Sequence, residues 1–134
     1  MAKTTWAEKF LQPREAFVEV VQKNTPAMKA GQKMLIPTPA EIDQVVRTIP
    51  KGEVMAMADL RERLAQNHEA DVTCPLTTGI FLRMAAEYAL QEMSQGKDEV
   101  MPFWRVVDPK SPLAKKLPCG PEFIVSQRAA ESSN

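Results

Sequence analysis

The stretch from Thr73 to Met93 constrains this chain more than any other, because it is the longest segment that can form one helix. Thr73 can cap it, Pro75 suits a first turn where a missing N–H costs nothing, and Ile80, Met84 and Tyr88 recur on one side. A helix buried along that side and ended by Gly96 is the expectation. Gly79 breaks the pattern. A glycine inside a helix costs about 1 kcal/mol relative to alanine, so it marks close approach to the backbone, by a neighbouring helix or by a ligand.

The flanking segments support this helix. Thr38-Pro39-Ala40-Glu41 has a capping threonine, proline at the first helical position and a glutamate placed for a capping box. Ile42, Val45, Val46 and Ile49 then follow at helical spacing, which predicts a core helix ending at Ile49. Pro50-Lys51-Gly52 breaks it, and Val54-Met55 reads as a brief strand. A second helix from about Met57 is expected to bury Met57, Leu60 and Leu64, with a polar turn over Asn67 to Asp71. Beyond the long helix, Val100 to Val107 is an apolar and aromatic run interrupted only by Arg105, and it should be mostly buried. The proline-rich tail from Asp108 reads as loop until a last short helix near Phe123 to Ala130. Residues 1–37 read as an irregular arm packed on the domain through Trp6, Phe10 and Leu11, with short extended pieces at Phe17 to Val21 and Met34 to Ile36. Residues 38–134 form the domain itself.

Composition narrows the class. A chain of 134 residues, 44% hydrophobic and 25% charged, fits one soluble globular domain. It has no run of about 20 apolar residues and no apolar block at its start, so the expectation is a cytoplasmic protein with no membrane partner. Two cysteines and one histidine give no metal-ligand cluster and no disulfide framework, and no cofactor is expected. The 17 basic and 17 acidic residues cancel, leaving only a local basic face to attract nucleic acid.

The segments Ile49-Pro50-Lys51-Gly52-Glu53-Val54 and Pro102-Phe103-Trp104-Arg105-Val106-Val107 carry a resemblance. Across about Thr38 to Val107 the chain resembles the C-terminal domain of the DNA alkyltransferases that repair O6-alkylguanine, and in kind their catalytically inactive relatives, the alkyltransferase-like proteins. The resemblance implies a mainly α, winged helix-turn-helix domain with a short β segment, which binds the minor groove and flips a nucleotide out of the stack. Phe103 stands where the family has its alkyl-accepting cysteine, and Trp104 where it has the neighbouring histidine. Alkyl transfer needs a thiolate made by a base, so the resemblance implies a non-enzymatic protein. Met57 lies at the position of a tyrosine that helps rotate the flipped nucleotide's phosphate, and Leu76 at that of an intercalating arginine.

The candidate DNA-binding residues are therefore Leu76, Thr77, Thr78, Gly79 and Arg83 on the long helix, with Lys51 and Arg105; Lys110, Lys115 and Lys116 are further phosphate contacts. Met57, Pro102, Phe103 and Trp104 are the candidate base pocket. Arg105 sits inside an apolar run, so it has either a buried partner or a ligand. Cys74 is either a reactive thiol at the helix start or a buried structural one, Cys119 a loop residue, and His68 solvent-facing. The expected partner is double-stranded DNA, including DNA containing O6-alkylguanine, with a repair protein as a further partner. Between Asp71 and Ser94, however, Arg83 stands alone against Asp71, Glu87 and Glu92. That balance favours a second reading, a winged-helix protein-interaction module that has lost DNA binding.

Overall fold

The computed structural model describes residues 5–132. Residues 1–4 and 133–134, which the expected boundaries at 1–37 and 38–134 include, lie outside the described residues. The fold is mainly helical with a small three-stranded open sheet, and its central element is the long helix α4 (Pro75–Ser94). Thr78, Leu82, Ala85, Ala86 and Ala89 form its buried face, a stripe at helical spacing whose small alanines let α2 (Pro39–Arg47) pack closely. The side expected to be buried, through Ile80, Met84 and Tyr88, is instead a second face. It is only partly covered, by the short helix α1 (Trp6–Leu11), whose Phe10 ring stacks on Tyr88 at 4.8 Å. Leu11 contributes nothing to this contact and is exposed.

Helix α2 starts as its sequence dictates: the Thr38 hydroxyl accepts from the Glu41 N–H at 3.1 Å, with Pro39 in the first turn. The Glu41 carboxylate does not complete a capping box. It turns to His68 Nε2 at 2.7 Å, so His68 is paired, not simply turned to solvent. The helix ends at Arg47, although Ile49 still enters the core. Helix α3 (Met57–Asn67) buries Leu60 and Leu64 and leaves Met57 half-buried.

The sheet is built from β1 (Phe17–Val20), β2 (Lys33–Ile36) and β3 (Val72–Thr73), in that order. β1 runs antiparallel to β2, with Phe17 opposite Ile36, and β3 runs parallel to β2, with Leu35 opposite Thr73. Helices α2 and α3 make the crossover that a parallel pair requires. The segment before residue 37 thus supplies one helix and two strands in place of an irregular arm, and Leu35 is fully buried.

Three local expectations are corrected. Val54-Met55 forms no strand; the Met55 N–H donates to the Arg105 carbonyl at 2.7 Å. Thr73 does not cap α4, because its hydroxyl donates to the Arg61 carbonyl at 2.7 Å and Cys74 holds the cap position with no side-chain bond. Val100 to Val107 is mostly buried as expected, but Phe103–Arg105 is a 3-10 turn, and among the described residues no strand follows α4 to serve as the wing that the resemblance implies. The tail also folds further than its prolines suggested. Ser111 caps α5 (Pro112–Lys116), and α6 spans Gly120–Ser132. Among the described residues, no helix is long and apolar enough to cross a membrane.

Candidate functional site

A cleft of about 550 Å³ opens beside the first turns of α4. One wall is α4 itself, through Leu76, Gly79, Ile80, Arg83 and Met84, and a second is α1, through Trp6 and Lys9. The third is the segment from Val107 through α5, including Asp108, Leu113 and Lys116, while Met57 enters from the start of α3. The local cause of the opening is Gly79. A Cβ built there would meet nothing within 4 Å, so the glycine bares the helix backbone to the cleft and is not packed against a neighbouring helix. Leu76 stands on the rim at 71% exposure, an apolar side chain that the fold leaves in solvent.

The structure brings Met57, Leu76, Gly79 and Arg83 together around this cleft. Thr77 and Thr78 are placed differently: both hydroxyls turn back to the Cys74 carbonyl, at 3.4 and 2.7 Å, and Thr78 is fully buried. Neither is a phosphate donor in this arrangement. Lys51 is exposed on the turn after α2, outside the cleft lining.

Pro102, Phe103 and Trp104 do not form a base pocket. All three are buried, Phe103 completely, in an aromatic cluster where its ring stacks on Phe123 at 6.0 Å and meets Trp104 edge-on at 5.3 Å. Apolar bulk in a run with no exposed face makes core, and only Val107, at the end of the segment, reaches the cleft. Arg105 has its buried partner: its Nε and Nη2 donate to the two Glu131 oxygens at 2.9 and 2.7 Å, and Nη1 donates to the Ile49 carbonyl at 2.7 Å. That use of the guanidinium leaves it structural. These bonds hold the Glu131 carboxyl down at about 2. From the other side, Arg128 of α6 donates to the carbonyls of Trp104 at 2.7 Å and Val107 at 2.9 Å. The two arginines tie α6 to the Pro102–Val107 segment and so fix one wall of the cleft.

The charge of α4 is also redistributed. Glu87 and Glu92 are buried and paired, with Arg83 at 3.4 Å and Lys97 at 2.8 Å, and neither lines the cleft. The ionisable groups lining it are Lys9, Arg83 and Lys116 against Asp108 alone. Its lining is mostly apolar, and of its three cations Arg83 is already paired with Glu87.

Cys74 is half-buried outside the cleft lining, and Cys119 packs against the core, where burial pushes its thiol pKa up. Among the described residues, no three His, Cys, Asp or Glu side chains gather to hold a metal ion.

Trp6, Lys9, Glu131 and Arg128 are the residues that sequence reasoning missed. A signal existed for the first two: Thr5 followed by Glu8 has capping spacing, and the Thr5 hydroxyl does accept from the Glu8 N–H at 3.0 Å. For the others it was weaker, two charges three residues apart on the last helix.

No protein-family model, curated protein or solved structure matches this chain.

Proposed function

We propose that this protein binds double-stranded DNA without performing chemistry on it, in the manner of the alkyltransferase-like proteins it resembles in sequence. In this reading α3 and α4 act as a helix-turn-helix pair without a wing, and the start of α4 enters the minor groove. Leu76 wedges between base steps, as apolar side chains of minor-groove proteins do, and the cleft takes the extruded or alkylated base. One observation carries the reading: Leu76, left 71% exposed, stands at the mouth of a cleft of about 550 Å³ edged by Lys9, Arg83 and Lys116. Leu76 and Ile80 present adjacent exposed apolar surface beside the cleft, a planar base suits a mostly apolar lining, and Lys9 and Lys116 suit the flanking phosphates. Gly79 lets a DNA strand approach the helix backbone. Alkyl transfer is not part of the proposal, because it needs a thiolate and neither cysteine lines the cleft.

A fluorescence anisotropy titration at low salt tests this reading, using duplex with and without O6-methylguanine. Binding that favours the alkylated duplex and weakens about tenfold in Leu76→Ala is expected, on the scale of one buried apolar side chain. Equal, negligible binding to both duplexes contradicts it.

The second reading, a protein-interaction module that has lost DNA binding, draws support from Leu76 and Ile80, which expose adjacent apolar surface on α4. It predicts a stable complex or homo-oligomer through that face in sedimentation velocity. A monomer with salt-sensitive DNA binding contradicts it.

A further inference from the structure

We infer that the nucleotide site extends onto the N-terminal helix, with Trp6 and Lys9 contacting the extruded nucleotide: the indole lines the apolar part that takes the base, and the ammonium meets its phosphate. This rests on the DNA-binding reading above and deepens it.

Helix α1 contributes no buried residue to the core, and six residues are too few to form a stable helix alone. Contacts to α4 hold it: Phe10 on Tyr88, and the Arg83 guanidinium 5.2 Å from the centre of the Trp6 ring. Such contacts place Trp6 on the cleft without packing it into the core, and the indole is only half-buried. Lys9, one helical turn on, sits 4.4 Å from the same ring. An aromatic side chain carrying two cations beside an apolar cleft suits a ligand with a flat apolar part and a negative charge. A nucleotide has both, and base–aromatic contact and phosphate neutralisation are separable contributions to its affinity. Across the cleft, Lys116 is placed for the other flanking phosphate.

The test uses the full chain and two probes, duplex DNA containing O6-methylguanine and free deoxyguanosine monophosphate. Trp6 emission is isolated by difference against Trp6→Phe, since Trp104 is buried. Trp6→Ala should weaken duplex binding about tenfold. Lys9→Gln should weaken it about threefold and lower the slope against log salt by about one. Unchanged circular dichroism in both variants is expected of a peripheral helix. If both bind duplex like the parent while Leu76→Ala loses binding, the inference is overturned and the DNA reading stands. If duplex is not bound but the mononucleotide quenches Trp6 emission and Trp6→Ala abolishes its binding, the nucleotide site stands and the DNA reading falls. No response to either probe overturns both.

Discussion

Arg105 shows how one side chain can look like a ligand contact in sequence and be a strut in the fold. Its bidentate pair with Glu131 is shielded, the two side chains being 15% and 10% exposed. Glu131→Gln leaves a guanidinium largely out of water without its counter-charge, and should destabilise the protein by about 2–4 kcal/mol in urea unfolding. The pH dependence has a definite sign. The Glu131 carboxyl titrates at about 2 in the folded protein against an ordinary 4.5, so its contribution is complete above the higher value and is lost as pH falls toward the lower one. Unfolding midpoints measured from pH 6 to 2 should fall more steeply in the parent than in Glu131→Gln. Gly79 makes the complementary case. The space around it is open, so Gly79→Ala should raise stability by about 0.5–1 kcal/mol. Gly79→Leu should leave stability near the parent value yet reduce duplex binding at least tenfold, because its side chain occupies the cleft.

At the scale of elements, α2, α3 and α4 were legible because caps, prolines and apolar spacing all point the same way in them. The face of α4 was not. Ile80, Met84 and Tyr88 have helical spacing as good as that of Leu82, Ala86 and Ala89, and spacing alone cannot say which of two apolar faces meets the core and which meets a short outlying helix. Val100 to Val107 illustrates a different limit: an apolar run announces burial, not conformation, and a buried 3-10 turn reads like a strand. The clamp on that turn joins residues far apart in sequence, with Arg105 gripping Glu131 and Arg128 gripping the carbonyls of Trp104 and Val107, so no local pattern could reveal it. Since Phe10 is half-buried against the core and stacked on Tyr88, Phe10→Ala should cost about 1–2 kcal/mol of global stability. The same substitution should loosen the Trp6 wall of the cleft, which increased acrylamide quenching of Trp6 would report.

Over the whole molecule, the zero formal charge obscured the site. Seventeen acidic and seventeen basic side chains cancel in sum, but Glu87 and Glu92 of α4 are turned inward and paired with Arg83 and Lys97, while the cleft also gathers Lys9 and Lys116 against Asp108. Charge counted along a helix carries no information about the face on which it lies. Part of the cleft lining was legible: Leu76, Gly79 and Arg83 on the long helix and Met57, read in the sequence as part of a separate base pocket, line one cleft. Phe103 and Trp104 fall into the core beneath it, and Trp6 and Lys9 come from a segment read as an arm. If Lys9 and Lys116 meet phosphates, log K for duplex should fall with log salt at a slope of about −2. That is shallow for a DNA-binding protein and follows from a net-neutral chain with one basic rim.

We propose that the cleft at the start of α4 is the surface that receives DNA. An amide and indole chemical-shift map, recorded while duplex containing O6-methylguanine is added to the labelled protein at low salt, tests it most directly. The largest shifts are expected at Trp6, at Leu76 through Arg83, and at Leu113 through Lys116, with β1 unmoved. Shifts confined to the sheet edge or to α6, or none at any residue, would contradict it.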